Sequence, residues 1–368
     1  EEGPMRLLRL VTASETPAER GHEIGAALAQ EIRANVDRYL AFFAVRGLNE
    51  ATVRAVAESS LTALGEWSPG LAQELRSTAE AAGVEPWRLA ALNARTEVLA
   101  VVGADREGEC STAIYAPPGA AAPQTIQTWD WHASLCPAGL LLELVPDSTS
   151  PERRVGRVRL FTELGMLGKI GVNDAGIGVH FNILHHASDH PRGGVPVHAI
   201  ARRILDEATS IAEAEAIARS ARVSASTVLT VVSLRDEHPR AVCLELSPER
   251  VSVLTPDDAH WLLHTNHFRH PDQEPGEATP DVSTTYVRLD HVAERVADMA
   301  NVSVQERGAQ MCGPAGGNAP VCFVPNPADP PHEQWTTLLT ISLDLAAARL
   351  DVVAGNPALL AATGPSRF

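Results

Sequence analysis

What this 368-residue sequence lacks narrows it first. No apolar run reaches the roughly 20 residues that span a bilayer, and residues 5–10 read as a short strand rather than the apolar core of a signal peptide. Both absences point to a cytoplasmic protein with no membrane partner. Residues 1–4 precede the first methionine and are read as foreign to the natural chain. There are five cysteines, Cys110, Cys136, Cys243, Cys312 and Cys322, an odd number with no CxxC spacing. That excludes a disulfide scaffold and a thiolate zinc frame, and implies free thiols in a reducing interior.

Positive charge is also scarce, with 30 Lys and Arg against 46 Asp and Glu, a formal charge of −16. Such a surface repels polyanions and argues against nucleic acid as a partner. More weakly, it disfavours a bulky anionic substrate such as a coenzyme A thioester. Gly313-Pro-Ala-Gly-Gly-Asn318 has the composition of a phosphate cradle, but a strand-like run follows where a helix N-terminus is needed. Gly165-Met-Leu-Gly-Lys169 lacks both the nucleotide-binding spacing and the hydroxyl residue after lysine. GxSxG and HExxH are absent. His180, His185, His186 and His190 form no recognised ligand frame and read as surface or pocket-lining residues. No cofactor and no metal is implied.

What is present is a globular composition, 45% apolar and 21% charged. From about Pro17 to Val102 the pattern is helical, with Ile24, Leu28, Ile32, Val36 and Leu40 on one face and breaks at Pro69-Gly70 and Gly83 to Pro86. From Glu109 it turns to short β-branched and aromatic runs at 111–115, 125–131, 140–145, 155–161, 169–172 and 177–184. Helices at 198–208 and 210–221 precede strands at 226–234, 241–246, 251–254 and 261–265. A helix at 284–300 and a loop at 313–331, rich in Gly, Pro and Asn, lead to closing strands at 337–345 and 350–353. This order, without regular βαβ alternation, predicts an α+β fold of antiparallel sheets with helices on their outer faces.

Gly108-Glu109-Cys110-Ser111-Thr112 stands where the helical pattern gives way to strands. A cysteine at that point is placed to become a chain terminus. If the Glu109 carbonyl sits in a strained turn, the thiol attacks it, the acyl group moves from nitrogen to sulfur, and water opens the thioester. The freed α-amine, of pKa about 7.7–8.0, is then a base beside a thiol of about 8.5. Taken alone, an intracellular cysteine is more often a small buried hydrophobe.

A series of motifs in order changes that balance: Arg20-Gly-His-Glu-Ile-Gly25, Leu92-Asn-Ala-Arg95-Thr-Glu97, Glu109-Cys110-Ser-Thr112, Thr128-Trp-Asp130-Trp131, the run from Gly165 through Asn173 to Gly176, Asn182, Thr265-Asn266-His267 and Gly355-Asn-Pro357. Over most of the chain this resembles the self-processing N-terminal-nucleophile (Ntn) acyltransferases typified by isopenicillin N acyltransferase, and more distantly bile-salt hydrolases and penicillin V acylases. The resemblance implies an αββα sandwich of two antiparallel sheets between helical layers. It implies cleavage between Glu109 and Cys110 into segments 5–109 and 110–368 that stay associated as one unit.

By the same resemblance Cys110 is the nucleophile, and Asp130 holds the α-amine by a charge-assisted hydrogen bond. The side-chain amide of Asn266 and the backbone N–H of Asn182 make an oxyanion hole, and Thr112 bonds the precursor turn or the amine. An arginine near a serine is expected between Ser283 and Leu289. One register makes it Arg288, and another puts Thr285 at the key position. Relatives carry glycine before the cysteine where this chain has Glu109, which implies slower cleavage or a different geometry. Trp129 and Trp131 suggest a partly apolar substrate pocket in a chain with only 4% aromatic residues. Asn173, beside Gly176, reads as a turn former.

The expected function is acyl transfer through a Cys110 thioester, from a small-molecule amide or thioester donor to water or to an amine. The alternatives are a catalytically silent binding protein on the same scaffold and a hydrolase using metal at the histidines. A homodimer remains open.

Overall fold

The change of pattern at residue 109 coincides with a change of architecture in the structure, a computed structural model that describes residues 3–103, 109–147 and 149–368. Ahead of it lie a strand, β1 (Arg6–Val11), and six helices: α1 (Pro17–Ala27), α2 (Ala29–Val45), α3 (Glu50–Trp67), α4 (Pro69–Ala82), α5 (Pro86–Asn93) and α6 (Arg95–Leu99). Local chemistry sets their limits. Thr16 and Asn49 accept the N–H groups of Glu19 and Thr52 to cap α1 and α3, proline opens α1, α4 and α5, and Gly83 in the left-handed region ends α4. Helices α1 and α4 pack backbone to backbone because Gly21 and Gly25 carry no side chain; a Cβ there would lie 2.3 and 2.4 Å from the carbonyl oxygens of Glu74 and Thr78.

Then come β2 (Glu109–Tyr115), β3 (Gln124–His132), β4 (Ala138–Leu144), β5 (Val158–Glu163), β6 (Ile170–Asn173) and β7 (Ile177–Ile183). Helices α7 (Val197–Glu207) and α8 (Ile211–Ser220) separate these from β8 (Thr227–Ser233), β9 (Ala241–Leu246), β10 (Val251–Leu254) and β11 (Trp261–His264). The chain finishes with α9 (Thr285–Ala293), α10 (Val296–Met299), α11 (Val304–Cys312), β12 (Trp335–Asp344), β13 (Arg349–Val353), α12 (Pro357–Thr363) and β14 (Ser366–Arg367).

Two sheets result, an eight-stranded one ordered β1-β4-β5-β6-β7-β8-β9-β10 and a six-stranded one ordered β11-β2-β3-β12-β13-β14. They face each other, with α7 and α8 against the outer face of the first and α9, α11 and α12 against the outer face of the second. This is the αββα sandwich of an α+β protein. Alternation along the strands divides its contents. Cys110, Ile114, Trp129 and Trp131 enter the large core between the sheets, while Ala113 and Ile126 join the smaller core under α9–α12.

The structure corrects the sequence reading in three places. β1 pairs with β4 in parallel, so the larger sheet is not wholly antiparallel; the six intervening helices supply the long crossover that a parallel pair needs. The helix expected over 284–300 breaks at Glu294-Arg295 into α9 and α10. Finally, α11 and α12 were not anticipated, and the loop expected over 313–331 opens with a 3-10 segment, Gly313–Asn318. Both missed helices are short and largely polar or alanine-rich, so their periodicity is weak.

Candidate active site

Cys110 is the second residue of β2, an interior strand between β11 and β3, and lies directly opposite Trp129. It is only 2% exposed. The Cys110 N–H donates to Asn266 Oδ1 at 2.7 Å, and its carbonyl accepts from Arg288 Nη1 at 2.6 Å and, more loosely, from Asn182 Nδ2 at 3.4 Å. The two peptide units that flank the Cys110 Cα are therefore held, one by its N–H and the next by its carbonyl, by side chains from α9, β7 and the segment after β11. Gly108, which precedes the expected junction, lies outside the described residues.

Asn266 meets Cys110 with its oxygen. Arg288 Nη2 also donates to that oxygen at 2.9 Å, which fixes the amide orientation, and Nδ2 donates to the Ile183 carbonyl at 2.9 Å. In this chain Asn266 is thus an acceptor toward Cys110, where the sequence reading expected a donor. Asn182 reaches the site through its side chain, where the reading expected its backbone N–H. Its Nδ2 donates to the carbonyls of His264 and Thr265 as well, and its Oδ1 accepts from Thr112 and Gln127. Thr112 holds Asn182 at 2.9 Å, and its hydroxyl also accepts from Gln127 at 2.7 Å; this locates it between the sheets, joined to Asn182.

Asp130 is fully buried, opposite Glu109 in the ladder, and a bulge in β12 between Thr337 and Leu339 faces this point. One of its oxygens accepts from the Thr337 hydroxyl, and the other has no partner. Burial above all pushes its pKa up to about 8, against the pull of Arg288 and Thr337. Burial likewise pushes the Cys110 thiol up to about 12, with Asp130 adding to the rise and Lys169 and Arg288 opposing it.

Both registers proposed for the arginine region converge on the site. Arg288, fully buried, donates to Cys110, Ser111 and Asn266 and pairs with the Glu109 carboxylate. Thr285 Oγ1 accepts the Asn266 N–H at 2.7 Å and donates to Thr265. The Glu109 carboxylate accepts further from Ser283 at 3.1 Å and Thr284 at 2.9 Å.

The two tryptophans part company. Trp131 lines a cavity of about 290 Å³ together with Arg95, Leu99, Ile183 and His186. Trp129 is packed in the core against Phe161, with Lys169 Nζ 4.3 Å from its ring centroid. Lys169, Glu163 and Arg95 lie beneath Cys110; the motif series carried Arg95 and Lys169 without a role and did not include Glu163. Glu163 bonds both cations, at 3.3 Å and 2.8 Å, and burial lowers Lys169 to about 8. The signal was a lysine opening an otherwise apolar strand.

Asn173 is a turn former as read, accepting from the N–H groups of Ala175 and Ile177. Of the histidines, His180 is buried and bonded to Gln127 rather than at a surface, His186 lines the Trp131 cavity, and His190 is partly exposed. Among the described residues no three His, Cys, Asp or Glu side chains converge as a metal site would require.

A buried cysteine near the start of an interior strand of a four-layer sandwich, held at its nitrogen and its carbonyl, is the centre of this site. The chain belongs to the acyl-coenzyme A:6-aminopenicillanic acid acyl-transferase family, whose model matches residues 125–359. That match begins after Cys110. A curated relative, the acyl-coenzyme A:6-aminopenicillanic-acid-acyltransferase 40 kDa form of Emericella nidulans, is 29% identical over 291 residues, 77% of this chain and 76% of the relative. Among solved structures, a mutant of conjugated bile acid hydrolase from Clostridium perfringens is similar at a TM-score of 0.43 and 14% identity, over 66% of this chain and 89% of that one. The N-acylethanolamine-hydrolyzing acid amidase ortholog of Caenorhabditis elegans is similar at 0.42 and 12%, over 64% and 93%. Likeness this loose transfers no residue role.

Proposed function

We propose that the chain is a self-processing cysteine enzyme that moves an acyl group through a thioester on Cys110, either to water or to an amine. The observation that carries this reading is the double grip on Cys110, by Asn266 at the nitrogen of the scissile peptide and by Arg288 at the carbonyl of the next one, beside a buried Asp130 with one oxygen lacking a partner.

In the joined chain Sγ attacks the Glu109 carbonyl carbon, the C–N bond breaks, and the Cys110 nitrogen takes the thiol proton. Water then opens the thioester, giving segments 5–109 and 110–368. With the thiol pushed up to about 12, thiolate is scarce at neutral pH and this step is slow. The new amine keeps Asn266 Oδ1 as acceptor. A protonated amine also offers Asp130 a cation, which favours the ionised carboxylate and fills its vacant oxygen.

In the mature site the amine serves as base for its own thiol. Asn266 Nδ2 and Asn182 supply donors to the developing oxyanion, the former by exchanging the Ile183 carbonyl for it. The Trp131 cavity receives apolar substrate atoms. Membership in a family named for acyl-coenzyme A and 6-aminopenicillanic acid suggests a small-molecule thioester or amide donor and an amine acceptor, and the charge of −16 weighs against coenzyme A itself. Five free thiols suit the cytoplasm.

Intact-mass measurement tests the reading. Wild type should resolve into two fragments, Cys110→Ala should stay at the full 39.2 kDa and be inactive, and Cys110→Ser should cleave slowly. Cleavage that persists in the alanine variant overturns the assignment. An intact wild type that no acyl donor modifies would instead favour a binding protein on this scaffold.

A further inference from the structure

The Glu109 side chain is itself seated in a site. Its carboxylate accepts from Ser283 and Thr284 and pairs with Arg288, a fully buried cation. Glu109 and Thr284 also line an open cavity of about 220 Å³ walled by Val282, Phe323, Val324 and Trp335. Every donor on that carboxylate comes from α9 or the residues just before it, none of which leaves when the Glu109–Cys110 bond opens.

The processing thioester is chemically an acyl-enzyme whose acyl group is residue 109. The glutamate carboxylate stands three carbons (Cα, Cβ and Cγ) from the carbonyl bonded to sulfur, which is the spacing of a glutaryl group. Once Glu109 departs, Arg288 becomes a buried cation that has lost its counter-ion, a state costly enough to draw another anion in. The α-amine, not Arg288, is the partner proposed for Asp130.

We infer that Arg288, Ser283 and Thr284 form the acyl-side carboxylate subsite of the mature enzyme, and that its preferred donors are amides or thioesters of glutaryl-type diacids. Resting on the thioester reading above, this assigns its substrate class. The step balances without a co-reactant: the Cys110 thiol and a glutaryl amide give glutaryl-S-Cys110 and the free amine, and water then releases glutarate and the thiol.

The test compares glutaryl, succinyl, adipyl and uncharged valeryl p-nitroanilides on the processed enzyme, by release of nitroaniline and by the mass of the adduct on Cys110. Glutaryl should exceed valeryl in kcat/KM by about tenfold or more, chiefly through KM, as expected for charge-assisted hydrogen bonds. Ser283→Ala, which removes one donor to the carboxylate and none of the bonds of Arg288, should reduce that ratio by about tenfold. Processed Glu109→Ala, in which no chain carboxylate can return to the subsite, should keep or enlarge the preference. Valeryl equal to or better than glutaryl in both wild type and Glu109→Ala overturns the subsite and leaves the thioester reading standing. Failure of every donor to acylate Cys110 overturns both.

Discussion

Beneath Cys110 two buried cations, Lys169 and Arg95, share a single carboxylate, Glu163. The surplus positive charge favours a thiolate at Cys110, while the cost of burying it brings Lys169 down to about 8. Replacing Lys169 by methionine leaves the Arg95–Glu163 pair balanced, so the fold should persist. Alkylation of Cys110 by iodoacetamide should then move to higher pH, with a rate at pH 8 lower by about tenfold, one pKa unit. An unchanged profile would mean that the ammonium does not reach the sulfur. Cys110 was visible from its place at the change from helical to strand pattern, and Asp130, Asn182, Asn266 and Arg288 through the family resemblance, Arg288 in one of two registers. Lys169 stood in a quoted motif with no role attached and Glu163 in none, because the meaning of both depends on the ion pairs they make across the fold. Asn266 was visible as a residue while its orientation was not: the two donors that turn its oxygen toward Cys110 come from residues 110 and 288.

At the scale of elements, close backbone contacts set the frame that carries the site. Helix α4 supplies Glu74, which binds both Arg20 of α1 and Arg202 of α7, so the α1–α4 contact is tied to the layer outside the larger sheet. Gly21→Ala forces a Cβ against the Glu74 carbonyl and should lower stability by about 1–3 kcal/mol, read as a lower urea midpoint with unchanged slope. Strand positions were legible to within a few residues because β-branched runs alternate between turn residues. Pairing was less so. That β1 lies beside β4 depends on the bulk of the six helices between them, which no local pattern encodes. The β12 bulge opposite Asp130 is equally silent in sequence, since it is a property of the ladder.

For the molecule as a whole, buried ionisable groups predict a pH profile. Burial holds Asp130 and Glu97 up to about 8, so the folded chain keeps protons that the unfolded chain has released. Their stabilisation is complete below the ordinary carboxyl range and is lost as pH rises through 8. His132 and His180, held down to about 3, act in the opposite sense, but their contribution is complete above the ordinary histidine value of about 6.5. Lys169 enters only above about 8. Between pH 6.5 and 8 the two carboxyls act alone among these groups, so the urea midpoint of the uncleaved Cys110→Ala chain should fall across that window, and adding Asp130→Asn and Glu97→Gln should flatten it.

The parallel strand contributed by residues 6–11 limits how the enzyme can be made. Expressing only residues 110–368, to start directly from the proposed nucleophile, would strip β1 from β4 and leave a row of unpaired amides along an apolar border. Such a fragment should precipitate when produced by itself and be rescued when the leading segment is supplied in the same cell, which makes that segment a permanent scaffold rather than a disposable leader.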